Sequence, residues 1–188
     1  MPVMPDVDLE ECTRRVKKLA LIAHEHGVAI EGEIDELPCG STGATVSHGK
    51  PTDPELAARF VEMTNVDLLA VSVDNVHIRI DGEGGLNLAL LKKIHERVAV
   101  PLVLHGGSGI ARESLEKAID LGVAKVNYGT YVKQRYLKAV TGALSNKQSN
   151  PHELLGLGGE HDVMVAGRAA VRDAVLERLP WLGCCGKA

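Results

Sequence analysis

Four cysteines in 188 residues include no CxxC pair: Cys12 and Cys39 stand alone, and Cys184 and Cys185 are adjacent. This excludes a cysteine zinc knuckle and a disulfide framework, and leaves the thiols unpaired. No block of like charge interrupts a chain whose formal net charge is −4, so no nucleic-acid or membrane-surface partner is indicated. No apolar run approaches the ~18 residues of a membrane helix. The opening MPVMPDVDLEECTRR has no basic region followed by an apolar stretch, so no secretory signal is expected and the cytoplasm is the expected location. Nucleotide fingerprints are missing too. Gly49-Lys50 is followed by Pro51 and preceded at the needed spacing by Ala44, and Gly107-x-Gly109 meets Arg112 at its third site. Internal repeats, low-complexity segments and signs of a domain boundary are absent, so residues 1–188 are expected to form one domain.

What is present is an ordinary globular composition, 45% hydrophobic and 24% charged, in a chain long enough to bury a core. Its pattern is a strand followed by a helix, four times over. Residues 8–26 place Val16, Leu19, Ala20 and Ala23 on one helical stripe that Gly27 ends. VAIEGE (28–33) reads as a strand, followed by a Gly/Ser/Thr-rich stretch over 40–50. Thr52 and Glu55 resemble a capping box opening a helix over 53–64. DLLAVSV (67–73) and VPLVLH (100–105) are apolar runs suited to strands buried on both faces, and AKVN (124–127) is a fourth strand. Helices are predicted over 86–98, 113–122, 131–144 and 165–179, the last two joined by a polar, Asn/Gly-rich connection. Alternating strands and helices imply βαβ units and a parallel sheet, with all strand C-termini on one side. Glu33, His77, His105 and Asn127 all follow strands, which favours a (β/α)-barrel type of fold with its site on the C-terminal face. A full (β/α)8 TIM barrel typically takes about 250 residues; four βα units make half of one.

HGGSG (105–109) follows an apolar strand and precedes a helix. Its backbone N–H groups and the helix start can face an anion, with the Ser108 hydroxyl as a further donor. The weaker competing reading of the string alone is a glycine-rich turn with no ligand. VNYGT (126–130) ends the next strand, so Asn127 and Thr130 are candidates for a phosphate or a substrate hydroxyl. By itself that string reads more readily as a helix cap. Barrel enzymes often bind phosphate after their last two strands, however, and these two motifs follow consecutive strands. His77 and His105 at strand ends suit neutral imidazoles on a metal, although a lone histidine is more often structural. Glu31 and Glu33 alternate within one strand, so only one is expected to face the barrel interior. The remaining histidines carry little signal: His24, His26 and His95 fall on helices, His48 in a loop, and His152 and His161 beside the polar connection.

The run PLVLHGGSGI (101–110) with KVN-x-x-T (125–130) resembles the class II, zinc-dependent aldolases acting on fructose- and tagatose-bisphosphate. EHGVAIEGEI (25–34), TDPELAARFVEMTNVDLLAVSV (52–73) and the C-terminal GCCGKA resemble further blocks of that family in the same order. The resemblance covers essentially the whole chain and matches the C-terminal half of the family's barrel. It implies zinc-dependent cleavage of a ketose bisphosphate to dihydroxyacetone phosphate and an aldehyde, an aldehyde-lyase activity of carbohydrate metabolism and glycolysis. His77 and His105 match two of three zinc ligands, and Glu33 a glutamate near the metal. Gly106, Gly107, Ser108 and Gly109 match the phosphate loop, and Asn127 and Thr130 the contacts after the last strand. The family's HxDH-type motif does not occur here, so the general-base aspartate is expected upstream of this chain. Ile78 stands where the family usually has glycine, and Gly129 at the centre of its N-x-D/A-T motif. The alternatives are a non-catalytic phosphosugar-binding half-barrel that pairs with another chain, and a phosphosugar isomerase of the same shape. A homo-oligomer, or pairing with an N-terminal half, is the expected assembly.

Overall fold

The structure, a computed structural model, describes residues 7–34, 50–76, 82–145, 150–156, 158–159 and 161–187. It forms two compact units, Met1–Asn127 and Tyr128–Ala188.

The first unit runs α1 (Leu9–Glu25), β1 (Glu31–Glu33), α2 (Pro54–Thr64), β2 (Leu68–Ala70), α3 (Leu88–His95), β3 (Leu102–Leu104), α4 (Arg112–Asp120) and β4 (Val123–Val126). Its strands pair in the order β1-β2-β3-β4, all parallel. A doubly wound sheet reverses its strand order part-way. Here the order never reverses, so right-handed crossovers return every connecting helix over the same face. Accordingly α1 packs on α2, α2 on α3 and α3 on α4. This is an α/β fold with a half-barrel arrangement of strands.

Local chemistry explains the helix ends. The Asp8 side chain accepts from Glu11 N–H at the start of α1, and the Asn87 side chain from Leu90 N–H at the start of α3. The capping box expected at Thr52 is displaced by one residue: Asp53 caps α2, its Oδ1 accepting from Leu56 N–H at 2.9 Å. Thr52 instead pairs with the end of β2, its hydroxyl accepting from Ser72 N–H at 2.9 Å. The α1 stripe is also corrected. Val16 and Ala20 are buried together with Thr13, whereas Leu19 is 41% exposed. Thr13 fits the stripe because its hydroxyl donates to the Leu9 carbonyl at 2.7 Å, so no donor is left unmet.

The sheet face under the helices is closely packed. Leu69, Val71, Val73, Leu102 and Leu104 are fully or almost fully buried. A Cβ on Gly32 would lie 2.8 Å from Phe60 Cε1 and 3.0 Å from Val66 Cγ1, so only glycine lets α2 sit this close to β1.

The second unit contains α5 (Thr130–Ser145), a short α6 (Pro151–Leu154) inside the polar, Asn/Gly-rich connection, and α7 (Val163–Arg178) followed by a 3-10 turn over Leu179–Leu182. The pairing of α5 with α7 depends on Gly167, where a Cβ would fall 2.4 Å from the Tyr136 ring. The Arg178 guanidinium lies over the rings of Tyr131 and Trp181, 4.1 and 3.7 Å from their centroids. Asp162 caps α7 and also accepts from the N–H groups of Gly156 and Gly158. The Gly158 and Met164 N–H groups, foremost among these donors, hold its carboxyl below the ordinary aspartate value. Among the described residues, no helix is long and apolar enough to cross a membrane.

Candidate functional site

Side chains two apart on a strand share a face. The face of the sheet opposite Gly32 therefore carries Glu31 and Glu33 from β1, Val103 and then His105 from β3, and Lys125 and then Asn127 from β4. The register agrees, since Glu33 pairs with Ala70, Ala70 with Val103, and Val103 with Lys125. The expectation that only one of Glu31 and Glu33 faces inward is overturned. Both carboxylates approach the His105 ring: Glu31 Oε1 lies 2.9 Å from Nε2, and Glu33 Oε1 lies 3.6 Å from Nδ1.

His105 is 4% exposed and Glu31 9%. Lys125, on the far strand, reaches over the sheet and donates to Glu31 Oε2 at 2.5 Å. Burial pushes the Glu31 carboxyl up, but hydrogen bonds from Lys125 and His105 outweigh it and leave the group below its ordinary value. The backbone end of β3 is held as well. Asn75, 2% exposed, donates to the His105 carbonyl at 3.0 Å, and its Oδ1 accepts from Val73 N–H at 2.8 Å. Asp74 beside it adopts a left-handed conformation, φ 69°, which Asp and Asn tolerate better than other non-glycine residues.

Directly after His105 the chain turns sharply. Gly106 has φ 70°, and Gly107–Gly109 form a single 3-10 turn leading into α4. Gly107 N–H donates to the Asn127 carbonyl at 3.0 Å, and Asn127 N–H donates to the Leu104 carbonyl at 2.9 Å. The turn and the end of β4 are thus stitched side by side. On its other flank the turn meets the β2–α3 connection, Gly84 N–H donating to the Gly109 carbonyl at 2.8 Å. Thr130 opens α5 in the second unit. His77 and Ile78, like His48 and Cys39, lie outside the described residues.

Two residues of this site escaped the sequence reading. Lys125 was quoted only as part of the KVN-x-x-T run and given no role, although it stands two residues before Asn127, the same spacing that separates Glu31 from Glu33. Asn75 gave no signal, because its role is set by a partner 30 residues away.

Comparison with known proteins shows the family. The family described as "Fructose-bisphosphate aldolase class-II" matches residues 2–187. This chain belongs to the class II fructose-bisphosphate aldolase family. The uncharacterized protein YdjI of Escherichia coli (strain K12) is 36% identical over 182 residues, which cover 96% of this chain and 61% of YdjI. The fructose-bisphosphate aldolase of Geobacillus stearothermophilus is 32% identical over 182 residues, 95% of this chain and 60% of that protein. The crystal structure of the YdjI aldolase superposes with a TM-score of 0.77 at 33% identity, over 97% of this chain and 60% of that one. This chain therefore spans about three fifths of the length of the relatives it matches.

The resemblance to zinc enzymes can be tested on the donor set. Among the described residues, no group of three or more His, Cys, Asp or Glu side chains is arranged to hold a metal ion. His105 nevertheless has the surroundings of a metal-ligating imidazole. One ring nitrogen is anchored on a buried carboxylate and the other is turned toward a second carboxylate. An imidazole nitrogen beside a carboxylate oxygen is a donor set that zinc accepts. These two donors fall short of the three protein ligands of a catalytic zinc site.

Proposed function

We propose that this chain carries the phosphate-binding and part of the metal-binding machinery of an aldehyde-lyase that cleaves a ketose bisphosphate, fructose- or tagatose-bisphosphate, to dihydroxyacetone phosphate and an aldehyde. The observation that carries this reading is the buried His105 placed immediately before a glycine turn that is hydrogen-bonded to Asn127. In this reading a metal ligand and an anion cradle are neighbours on one strand end, as cleavage of a phosphorylated ketose requires. In this reading residues 1–188 act as one partial aldolase barrel.

His105, Glu33 and His77 would hold zinc, which supplies Lewis acidity for the ketose carbonyl. The remaining work falls to the chain itself. Within the turn Gly106, Gly107, Ser108 and Gly109, the Gly106 and Ser108 backbone N–H groups and the Ser108 hydroxyl are the donors assigned to the phosphate, while the Gly107 and Gly109 N–H groups, spent on the Asn127 and Gly106 carbonyls, shape the turn; the start of α4 adds its dipole. Asn127 is assigned to the substrate from the end of the next strand, and Thr130 keeps the role that the family resemblance gives it. The turn and Asn127 would fix the distance between the phosphate and the carbon that must lose or gain a proton, which is where positioning is worth most. The general base, an aspartate by family resemblance, matches no position in residues 1–188, and a well-placed base is worth typically 10²–10⁴-fold.

The test is a coupled assay for triose phosphate release from both bisphosphates, with zinc present. The chain alone should show little or no turnover, and adding the N-terminal portion of a related aldolase should produce cleavage. A mixture that binds dihydroxyacetone phosphate yet never cleaves would favour a binding-only half-barrel. Turnover on the order of 1–10³ s⁻¹ from the chain alone would place the base within these 188 residues.

A further inference from the structure

We propose that Asn75 is a positioning residue of the phosphate turn: its side-chain amide fills a missing rung between β2 and β3 and so aims the Gly106 N–H at a bound phosphate. This rests on the reading of the turn after His105 as an anion cradle, and adds what sets the direction of one of its donors.

The rung is missing at the next step of a regular series. Leu69 N–H donates to the Pro101 carbonyl and Val71 N–H to the Val103 carbonyl, each at 3.1 Å. Two residues further along both strands, a parallel ladder would join Val73 N–H to the His105 carbonyl. Instead the Asn75 amide stands between them. Its Oδ1 accepts from Val73 N–H at 2.8 Å, and its Nδ2 donates to the His105 carbonyl at 3.0 Å and to the Val71 carbonyl at 3.3 Å. These partners fix the orientation of the amide, since an N–H only donates and a carbonyl only accepts. The position therefore needs an acceptor and a donor on one short side chain, and asparagine is the shortest amide that has both. Asn75 is 2% exposed, so a backbone group left unmet there would be costly.

The consequence for the turn comes from peptide geometry. The His105 carbonyl and the Gly106 N–H belong to one planar unit, and in a trans peptide they point opposite ways; no peptide bond among the described residues is cis. Held toward β2 by Asn75, the carbonyl turns the Gly106 N–H to the other flank of β3, where β4 lies. That is the flank on which Gly107 N–H meets the Asn127 carbonyl. A phosphate donor and Asn127 are thus brought to one side. Gly84 fastens the far end of the same turn, donating to the Gly109 carbonyl at 2.8 Å and accepting from Ala111 N–H at 2.9 Å. Both fasteners belong to the connection between β2 and α3, but only Asn75 acts on a peptide whose N–H is assigned to the ligand.

The experiment titrates dihydroxyacetone phosphate into the full ¹⁵N-labelled chain and reads the affinity together with the backbone amide resonances of Gly106 and Ser108. In wild type both resonances should move on binding. Asn75→Asp keeps the acceptor for Val73 but sets a second oxygen against the His105 carbonyl. It should bind roughly 10–100-fold more weakly, the fold-change for one hydrogen bond to a charged group. Its Gly106 resonance should no longer move, while that of Ser108 still does. Asn75→Ser, uncharged and too short to reach both partners, should behave the same way, and it decides the matter if the aspartate variant does not fold. Leu102→Ala is the control for stability: it should unfold more easily than wild type yet bind within a few-fold of it. Asn75 variants that bind within a few-fold of wild type, or whose Gly106 resonance still moves, overturn the proposal. So does a loss of affinity in Leu102→Ala as large as theirs, since Asn75 would then act through stability alone. A wild type that does not bind refutes the phosphate reading itself, whereas equal binding by wild type and Asn75 variants refutes only the positioning role.

Discussion

The two faces of the four-stranded sheet are written by alternate residues of the same short strands, yet they follow different rules. Toward the helices stand Gly32, Leu69, Leu102 and Leu104, chosen for volume and fit. Toward the other side stand Glu31, Glu33, His105, Lys125 and Asn127, chosen for charge and hydrogen bonding. A shift of one residue in any strand would exchange the two sets, so fold and site are specified together by register. Changes on the helix face should therefore cost stability, and changes on the polar face should cost ligand binding first.

The largest effect should come from Leu102→Ala, which empties a fully buried position and should destabilise by about 2–5 kcal/mol in urea unfolding. Its zinc affinity, measured where the protein is still folded, should be close to wild type. A loss confined to zinc binding would break the comparison. Gly32→Ala comes next. The new methyl must displace the buried Phe60 ring or Val66, which should cost about 1–3 kcal/mol through overpacking. No destabilisation there would mean that α2 can move away from β1.

A smaller effect concerns acid. The Glu31 carboxyl lies below its ordinary value of 4.5 in the folded chain, so its contribution is fully present above that value and is lost as pH falls through the lowered one. The stability difference between wild type and Glu31→Gln should thus be constant near neutrality and shrink below about pH 4.5. A difference that stays constant down to the acid transition would show that the Lys125 and His105 contacts do not act on this carboxyl. Smallest of all is Asp74→Gly. It relieves a left-handed φ but adds chain entropy to the unfolded state, and should change stability by less than about 1 kcal/mol.

Much of this was legible in the sequence. Among the described residues, the strand–helix alternation identified every strand and long helix, because a parallel sheet covered by helices needs continuous apolar runs such as LVL at 102–104. Strand bounds contracted, to three residues at Glu31–Glu33 against six expected over 28–33: Val28, Ala29 and Ile30 precede the ladder with β2, which begins at the pair of Glu31 with Leu68. The misreading of Glu31 and Glu33 came from strand parity: residues two apart share a face, and adjacent ones do not. Thr52 and Asp53 are both good caps, and only tertiary pairing with Ser72 decided between them. Leu19 matched the helical period, but the buried stripe is narrower than the apolar one and closes on Thr13 instead. Lys125 could have been found by parity from Asn127, whereas Asn75 could not.

The most direct test of the central claim, that the glycine turn after His105 binds the phosphate of a phosphorylated ketose, is calorimetric titration of the chain with dihydroxyacetone phosphate and with dihydroxyacetone. The phosphorylated ligand should bind more tightly. Ser108→Ala should weaken it by about 1–3 kcal/mol, the range for a lost hydrogen bond to a charged group, while leaving the unphosphorylated ligand almost unchanged. Equal affinities for the two ligands, or equal weakening of both by Ser108→Ala, would contradict it.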